Sequence, residues 1–176
     1  MIRFIIIFII SFAMTVCASN LDNYLQSELK YKRFTFLQEK YTKVFNEKFV
    51  SKGVISIRGN GFVIDYASPL QYSIIYDGSA IKQIYQGSTE ILAGDQIMMT
   101  ALKYFSDVIN LRFKNLNDSF LSDEKGGKLI LKPKNEIVRQ YLKGLIINFN
   151  KKEIKSITVN FRYGEYVKFI ILEKKI

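Results

Sequence analysis

The sequence predicts a mainly β (α+β) fold, a curved antiparallel sheet with helices laid against its apolar face, and three observations predict it. The first is strand alternation. Across 154–162, Lys155, Ile157, Val159 and Phe161 share one face, while Ile154, Ser156, Thr158, Asn160 and Arg162 share the other, which is wet. One dry and one wet face belong to antiparallel sheets, because parallel sheets are covered on both sides. The second is turn punctuation: Gly59-Asn60-Gly61, Ser68-Pro69 and Asp77-Gly78 fall between short apolar runs, and Asp-Gly so placed is the strongest short hairpin signal. The third is the segment 96–109, where a stripe of Met98, Leu102, Phe105 and Ile109 is broadened by Ile97, Ala101 and Val108. Only Thr100, Lys103 and Asp107 leave a narrow polar edge, and a helix so apolar must be covered on two sides or cover something.

The elements follow in order. Met1-Ile2-Arg3 precedes an unbroken run of apolar or small residues at 4–16, then Cys17-Ala18-Ser19-Asn20. One positive charge, a short apolar core and small residues make a secretory signal cleaved after Ala18. The run is shorter than the roughly 20 residues of a membrane-spanning helix. The chain is therefore divided into a signal peptide, 1–18, and a single domain, 19–176. Cleavage after Ala18 discards Cys17; the alternative, lipidation of Cys17, meets the bulky Val16 where a lipidation signal wants a small residue.

Asn20 caps a short helix with Leu21, Leu25 and Leu29 in one stripe. Strands are expected at 34–45, 53–58, 62–67, 70–76 and 80–85. Asp95 caps the apolar helix at 96–109. Residues 115–127 are polar and read as a loop, after which strands resume at 128–132, 144–149, 153–163 and 166–172.

Composition excludes whole classes of chemistry. A chain of 176 residues suits one domain, and 48% apolar with 14% aromatic residues supplies a core that disordered chains lack. Histidine is absent and cysteine occurs once. That excludes Ser-His-Asp and Cys-His catalysis, His-ligated zinc and an intramolecular disulfide. Ser27-Glu28-Leu29-Lys30 matches S-x-x-K without its companion motifs, and Asp118, Asp123 and Glu124 lack calcium-loop spacing. No enzyme, metal or cofactor is expected. The 26 basic against 16 acidic residues are scattered through turns and strand faces with no nucleic-acid module, so anionic headgroups or an acidic partner are expected rather than nucleic acid.

An ordered set of motifs runs through most of the domain. Phe36-Leu37-Gln38 is followed by Gly53-Val54-Ile55-Ser56-Ile57-Arg58, then by Phe62-Val63-Ile64-Asp65-Tyr66 with Pro69, then by Asp77-Gly78 and Tyr85, and finally by Leu129-Ile130-Leu131-Lys132-Pro133. In order and spacing this resembles the periplasmic outer-membrane lipoprotein carrier family, the LolA-like proteins. Gly59 stands where that family usually has Pro, and Ile64 where it usually has Trp. The resemblance implies a half-open antiparallel β-barrel whose helices form a lid over an apolar cavity. It implies a monomeric periplasmic carrier that takes the acyl chains of lipoproteins from an inner-membrane releasing complex to an outer-membrane acceptor.

Within the resemblance, Arg58 matches an arginine that hydrogen-bonds the lid, and Phe62 an aromatic at the cavity mouth. Ile64 and Tyr66 follow Phe62 on the same strand face, Ile74 and Tyr76 lie on the next strand, and Met98, Leu102 and Phe105 form the lid's inner face. The alternatives are a periplasmic binding protein for another lipid, phospholipid or glycolipid, and a non-carrier interaction or sensor protein of the same fold.

Overall fold

Period-two alternation and turn chemistry build one sheet. In the computed structural model, which describes residues 33–92, 96–110, 112–150 and 153–175, the first six strands are β1 (Arg33–Thr42), β2 (Glu47–Arg58), β3 (Gly61–Ser68), β4 (Tyr72–Tyr76), β5 (Ile81–Tyr85) and β6 (Ser88–Leu92). Helices α1 (Gln96–Ile109) and α2 (Phe113–Ser119) follow, then β7 (Phe120–Lys125), β8 (Lys128–Pro133) and the short α3 (Glu136–Arg139). The chain ends in β9 (Leu142–Asn150), β10 (Glu153–Phe161) and β11 (Tyr166–Lys175). The eleven strands form a single sheet in the order β6-β5-β4-β3-β2-β1-β11-β10-β9-β8-β7, antiparallel throughout. The fold is thus mainly β, as expected, and the sheet is open: β6 and β7 are its outer strands, joined in sequence through α1 and α2. The expected signal segment, Cys17, the helix from Asn20 and the Asp95 cap lie outside the described residues.

Cross-strand register makes one face apolar. Phe34 stands opposite Ile55, Ile55 opposite Ile64, and Ile64 opposite Ile74. A second row joins Ile57, Phe62, Tyr76 and Ile81, and on the other half of the sheet Phe169, Ile157, Ile147 and Leu129 form a third. Members of a row point to the same side, and all of these are buried except Ile57 and Ile74, which are half-buried. Gly53 lets a bulky ring cross the rows. It pairs with Phe36 on one side and Tyr66 on the other; a methyl there would collide with the Asp65 carbonyl oxygen and sit 3.0 Å from Phe36 Cζ. The Phe36 ring, fully buried, takes the space a side chain would need.

Local expectations change at four points. The strand expected over 34–45 ends at Thr42, because the chain turns back with Asn46 at φ 51°, and β2 starts at Glu47 rather than at 53. Residues 115–127 are not a loop: they supply most of α2 and all of β7. The charges of β7 are compatible with a strand because it is an outer one, exposed at every residue but Phe120. β6 was not expected; Gln86 and Gly87, both at positive φ, fold it tightly back onto β5. Finally, the alternation at 154–162 is broken. The pairing of β10 with β9 shifts between Ile154 and Ser156, so Lys155 is an extra residue and Ile154 joins Ile157 on the buried side.

Candidate functional site

Helix α1 and the apolar face of the sheet form the site that the sequence points to. Phe105 of α1 packs edge-on against Phe62 of β3 at 5.4 Å between ring centroids and lies 4.7 Å from Phe169 of β11. Its neighbour Tyr104 packs edge-on against Phe120 of β7 at 4.5 Å. In a flat sheet with strands about 4.8 Å apart, β3 and β7 would stand more than roughly 30 Å from each other. Two adjacent residues of one helix reach both, so the sheet curls around α1. Phe36 extends the cluster, 5.3 Å from Phe169 and 5.7 Å from Tyr66, and Tyr66 stacks on Tyr72 at 4.4 Å.

Seven of the nine expected positions are brought together here. Phe62 opposes Tyr76, Ile64 opposes Ile74, and Tyr66 completes the β3 row, with Phe105 lying over Phe62. Leu102 is half-buried against the same core. Met98 is 38% exposed, while Met99 packs on the core. The helix is rotated by one position at its start, which the pattern could not decide because both residues are methionine.

Arg58 is placed elsewhere. It is exposed at the end of β2, and its side chain has no hydrogen-bond or ion-pair partner among the described residues. The tie between helix and sheet is made instead by Arg112, just beyond α1, and Asn60 in the β2–β3 turn. Arg112 donates from Nε to Asp107 Oδ1 at 2.8 Å, from Nη1 to Asn60 Oδ1 at 3.0 Å, and from Nη2 to the Asn60 carbonyl at 3.1 Å and to Ser106 Oγ at 3.0 Å. Ser106 Oγ donates to the same Asn60 carbonyl at 2.9 Å, and Asn110 and Asn115 bond Ser106 and Asp107 from the helix side. A buried carboxylate is costly unless paired, and Asp107 is paired. The cluster of Ser106, Asp107 and Asn110 on a helix otherwise apolar was a signal of such a tie, but no residue pattern named Arg112 as their partner.

The electrostatics keep the apolar face neutral. Burial, reinforced by the neighbouring Tyr72, pushes the Tyr66 hydroxyl above its ordinary value, and burial raises Tyr72 as well. Tyr76 is raised by burial and then by the nearby Asp107; its hydroxyl donates to the Gly78 carbonyl at 3.1 Å. No buried side-chain polar atom among the described residues lacks a partner. A ligand on this face would therefore meet rings and aliphatic groups, not waiting donors or charges. Among the described residues no group of His, Cys, Asp and Glu is placed to hold a metal.

Comparison with known proteins adds little. No protein-family model matches the chain, and no curated protein matches it. Among solved structures it is similar to a DUF1329 family protein from Desulfovibrio piger ATCC 29098, with 10% sequence identity, coverage of 89% of this chain and 90% of that one, and a TM-score of 0.43.

Proposed function

We propose that the chain is a periplasmic carrier of acyl chains, with lipoproteins as cargo, and that it performs no chemistry. Helix α1 acts as a lid on the curled sheet, and an apolar cavity forms where it lifts away. The observation that carries this reading is Phe105, set between Phe62 and Phe169 from separate parts of an open sheet. Withdrawing one helix uncovers a broad aromatic surface, and acyl chains need apolar area alone, worth about 25 cal/mol per Å². Cargo would be received from an inner-membrane releasing complex and passed to an outer-membrane acceptor by differences in affinity between open and closed states. Phe62, Ile64, Tyr66, Ile74 and Tyr76 would line the cavity, with Leu102 and Phe105 on the lid. Co-expression with an acylated lipoprotein and its export complex tests this: a soluble complex of the chain with that lipoprotein is expected, and its consistent absence would falsify the reading. A bound phospholipid or glycolipid without attached peptide, seen by native mass spectrometry, would redirect the same site to another lipid.

A second reading has its own observation. Phe36 and Phe62 are fully buried, and the cleft of about 240 Å³ on the same side of the sheet, at β5 and β6, is lined mostly by polar residues such as Gln83 and Glu90. A face so filled at rest suits an interaction protein whose aromatic cluster is only core.

A further inference from the structure

The apolar side chains that the fold leaves open to solvent gather at one end of the sheet. Antiparallel strands place their connections alternately at two ends, and the β1–β2, β3–β4, β5–β6, β8–β9 and β10–β11 connections share one of them. Among the described residues, the exposed large apolar side chains lie at or beside these connections, with Ile91, Met98 and Leu172 the exceptions. Val44 and Phe45 at the β1–β2 tip are 82% and 67% exposed, and Tyr163 in the β10–β11 turn is 72% exposed. Leu70 and Ile137 occupy two further connections.

This tip is presented by structure. β3 pairs with β2 only from Lys52 onward, so the hairpin of β1 and β2 projects beyond its neighbour. Tyr41 stacks on Tyr166 at 5.8 Å, the Tyr41 hydroxyl donates to Asn46 Oδ1 at 3.0 Å, and the Lys43 backbone N–H donates to Glu165 Oε1 at 3.3 Å. Phe45 and Phe49 meet edge to face at 6.3 Å. A rigid turn thus holds two rings and a valine in water.

The charges around it have one sign in excess. Lys40, Lys43, Lys48, Lys143 and Arg162 stand at this end without an ion-pair partner among the described residues. Of the acids nearby, Glu136 is held by Arg139 and Glu165 accepts from the Lys43 backbone N–H, and with Glu39 and Glu47 they remain outnumbered by the cations at this end. Arg139 and Arg162 also share a shallow cleft of about 530 Å³ with Glu136, Gln140 and Tyr163. A protein partner fits a contiguous groove or patch, whereas these apolar tips are spread over separate turns. A bilayer interface accepts separate tips at once and attracts cations to its phosphates.

We propose that this end of the sheet docks on an anionic bilayer surface, with Val44 and Phe45 entering the boundary between headgroups and acyl chains and Lys43, Lys48, Lys143 and Arg162 facing lipid phosphates. The contact proposed for this end is interfacial, made by turns rather than by a spanning segment; none of the described helices is long and apolar enough to cross a membrane. The proposal holds whether or not the apolar face takes an acyl chain.

The chain has no tryptophan, so Phe45→Trp supplies a single reporter of depth. The full chain with this change is mixed with vesicles of phosphatidylglycerol and phosphatidylcholine and compared with Leu172→Trp, which sits away from the docking end. At position 45 the emission is expected to shift to the blue and to be quenched by lipids brominated near the headgroup; at 172 neither occurs. Val44→Ser is expected to weaken vesicle binding about tenfold, as loss of one such buried side chain implies, and about 0.5 M salt should weaken it further. Tyr163→Trp repeats the test from another turn, with circular dichroism confirming the fold of each variant. Three outcomes overturn the proposal: a bound chain whose position-45 indole stays in water, equal binding to pure phosphatidylcholine, or an indole that responds to an added envelope protein and never to lipid.

Discussion

The Asp77 carboxylate accepts the Ser79 and Ala80 backbone N–H groups at 2.9 and 2.8 Å and the Ser79 hydroxyl at 2.9 Å. Those bonds favour the charged form and lower its pKa from 3.8 to about 2. With the folded value below the unfolded one, the stabilisation is present above the unfolded value and is lost as pH falls through the folded one. Asp77→Asn should therefore melt below the parent chain at neutral pH, and the gap should close between pH 3.8 and about 2; a gap that is constant with pH would disprove the argument. Gly53 makes the opposite kind of demand. Gly53→Ala forces a methyl into the Asp65 carbonyl and the Phe36 ring, and about 3 kcal/mol of lost stability is expected, the upper end of overpacking; urea unfolding checks it, and a loss under about 0.5 kcal/mol would show that β3 gives way. Asp77-Gly78 was legible in the sequence because a hairpin turn is made by adjacent residues. The need at Gly53 was not, because Phe36 and Asp65 reach it only through pairing of β1 and β3 with β2.

Helix α1 is clamped and buried at one end and more exposed at the other. From Tyr104 to Ile109 every residue is buried, whereas Met98 and Lys103 are exposed and the residues between them half-buried. Arg112, Asp107, Ser106 and Asn60 clamp the buried end. Arg112→Ala strands a carboxylate whose side chain is 4% exposed, at a cost of about 3 kcal/mol. The lower end of the range for broken buried pairs applies because Arg112 is itself partly open to water. Arg112→Ala with Asp107→Asn should recover part of that loss in denaturant unfolding, and a double variant worse than the single one would sink the pairing argument. Hydrogen exchange should be faster for amides in the first half of α1 than in the second, since opening is easiest where few groups are buried. The limits of this helix were legible because its 3.6-residue periodicity is local. Its contact face was misjudged at Met98, and its polar tie was assigned to Arg58 on resemblance; both depend on which neighbour the tertiary fold supplies. β6 and β7 escaped for a related reason, as outer strands carry polar residues that look like loop.

The whole molecule is an open sheet whose two outer strands are consecutive in sequence, with the helical connection crossing the apolar face between them. The strand order and the curl thus make α1 the element that holds separate parts of the sheet in one core, and Phe105 is the side chain that touches both Phe62 and Phe169. Phe105→Ala separates the two functional readings. It should cost about 3–5 kcal/mol in either case, because a fully packed ring is lost and its cavity relaxes only in part. A site that opens for acyl chains should regain much of this on adding a long-chain lysolipid, about 2.7 kcal/mol at one hundred times its dissociation constant, and the parent chain should bind the same lipid saturably. A closed core offers no such path: the parent shows no saturable site, and at most the cavity left by the substitution takes up a small apolar molecule. Lipid binding by the parent is the decisive arm, since α1 must move for it to occur while the sheet register stays in place.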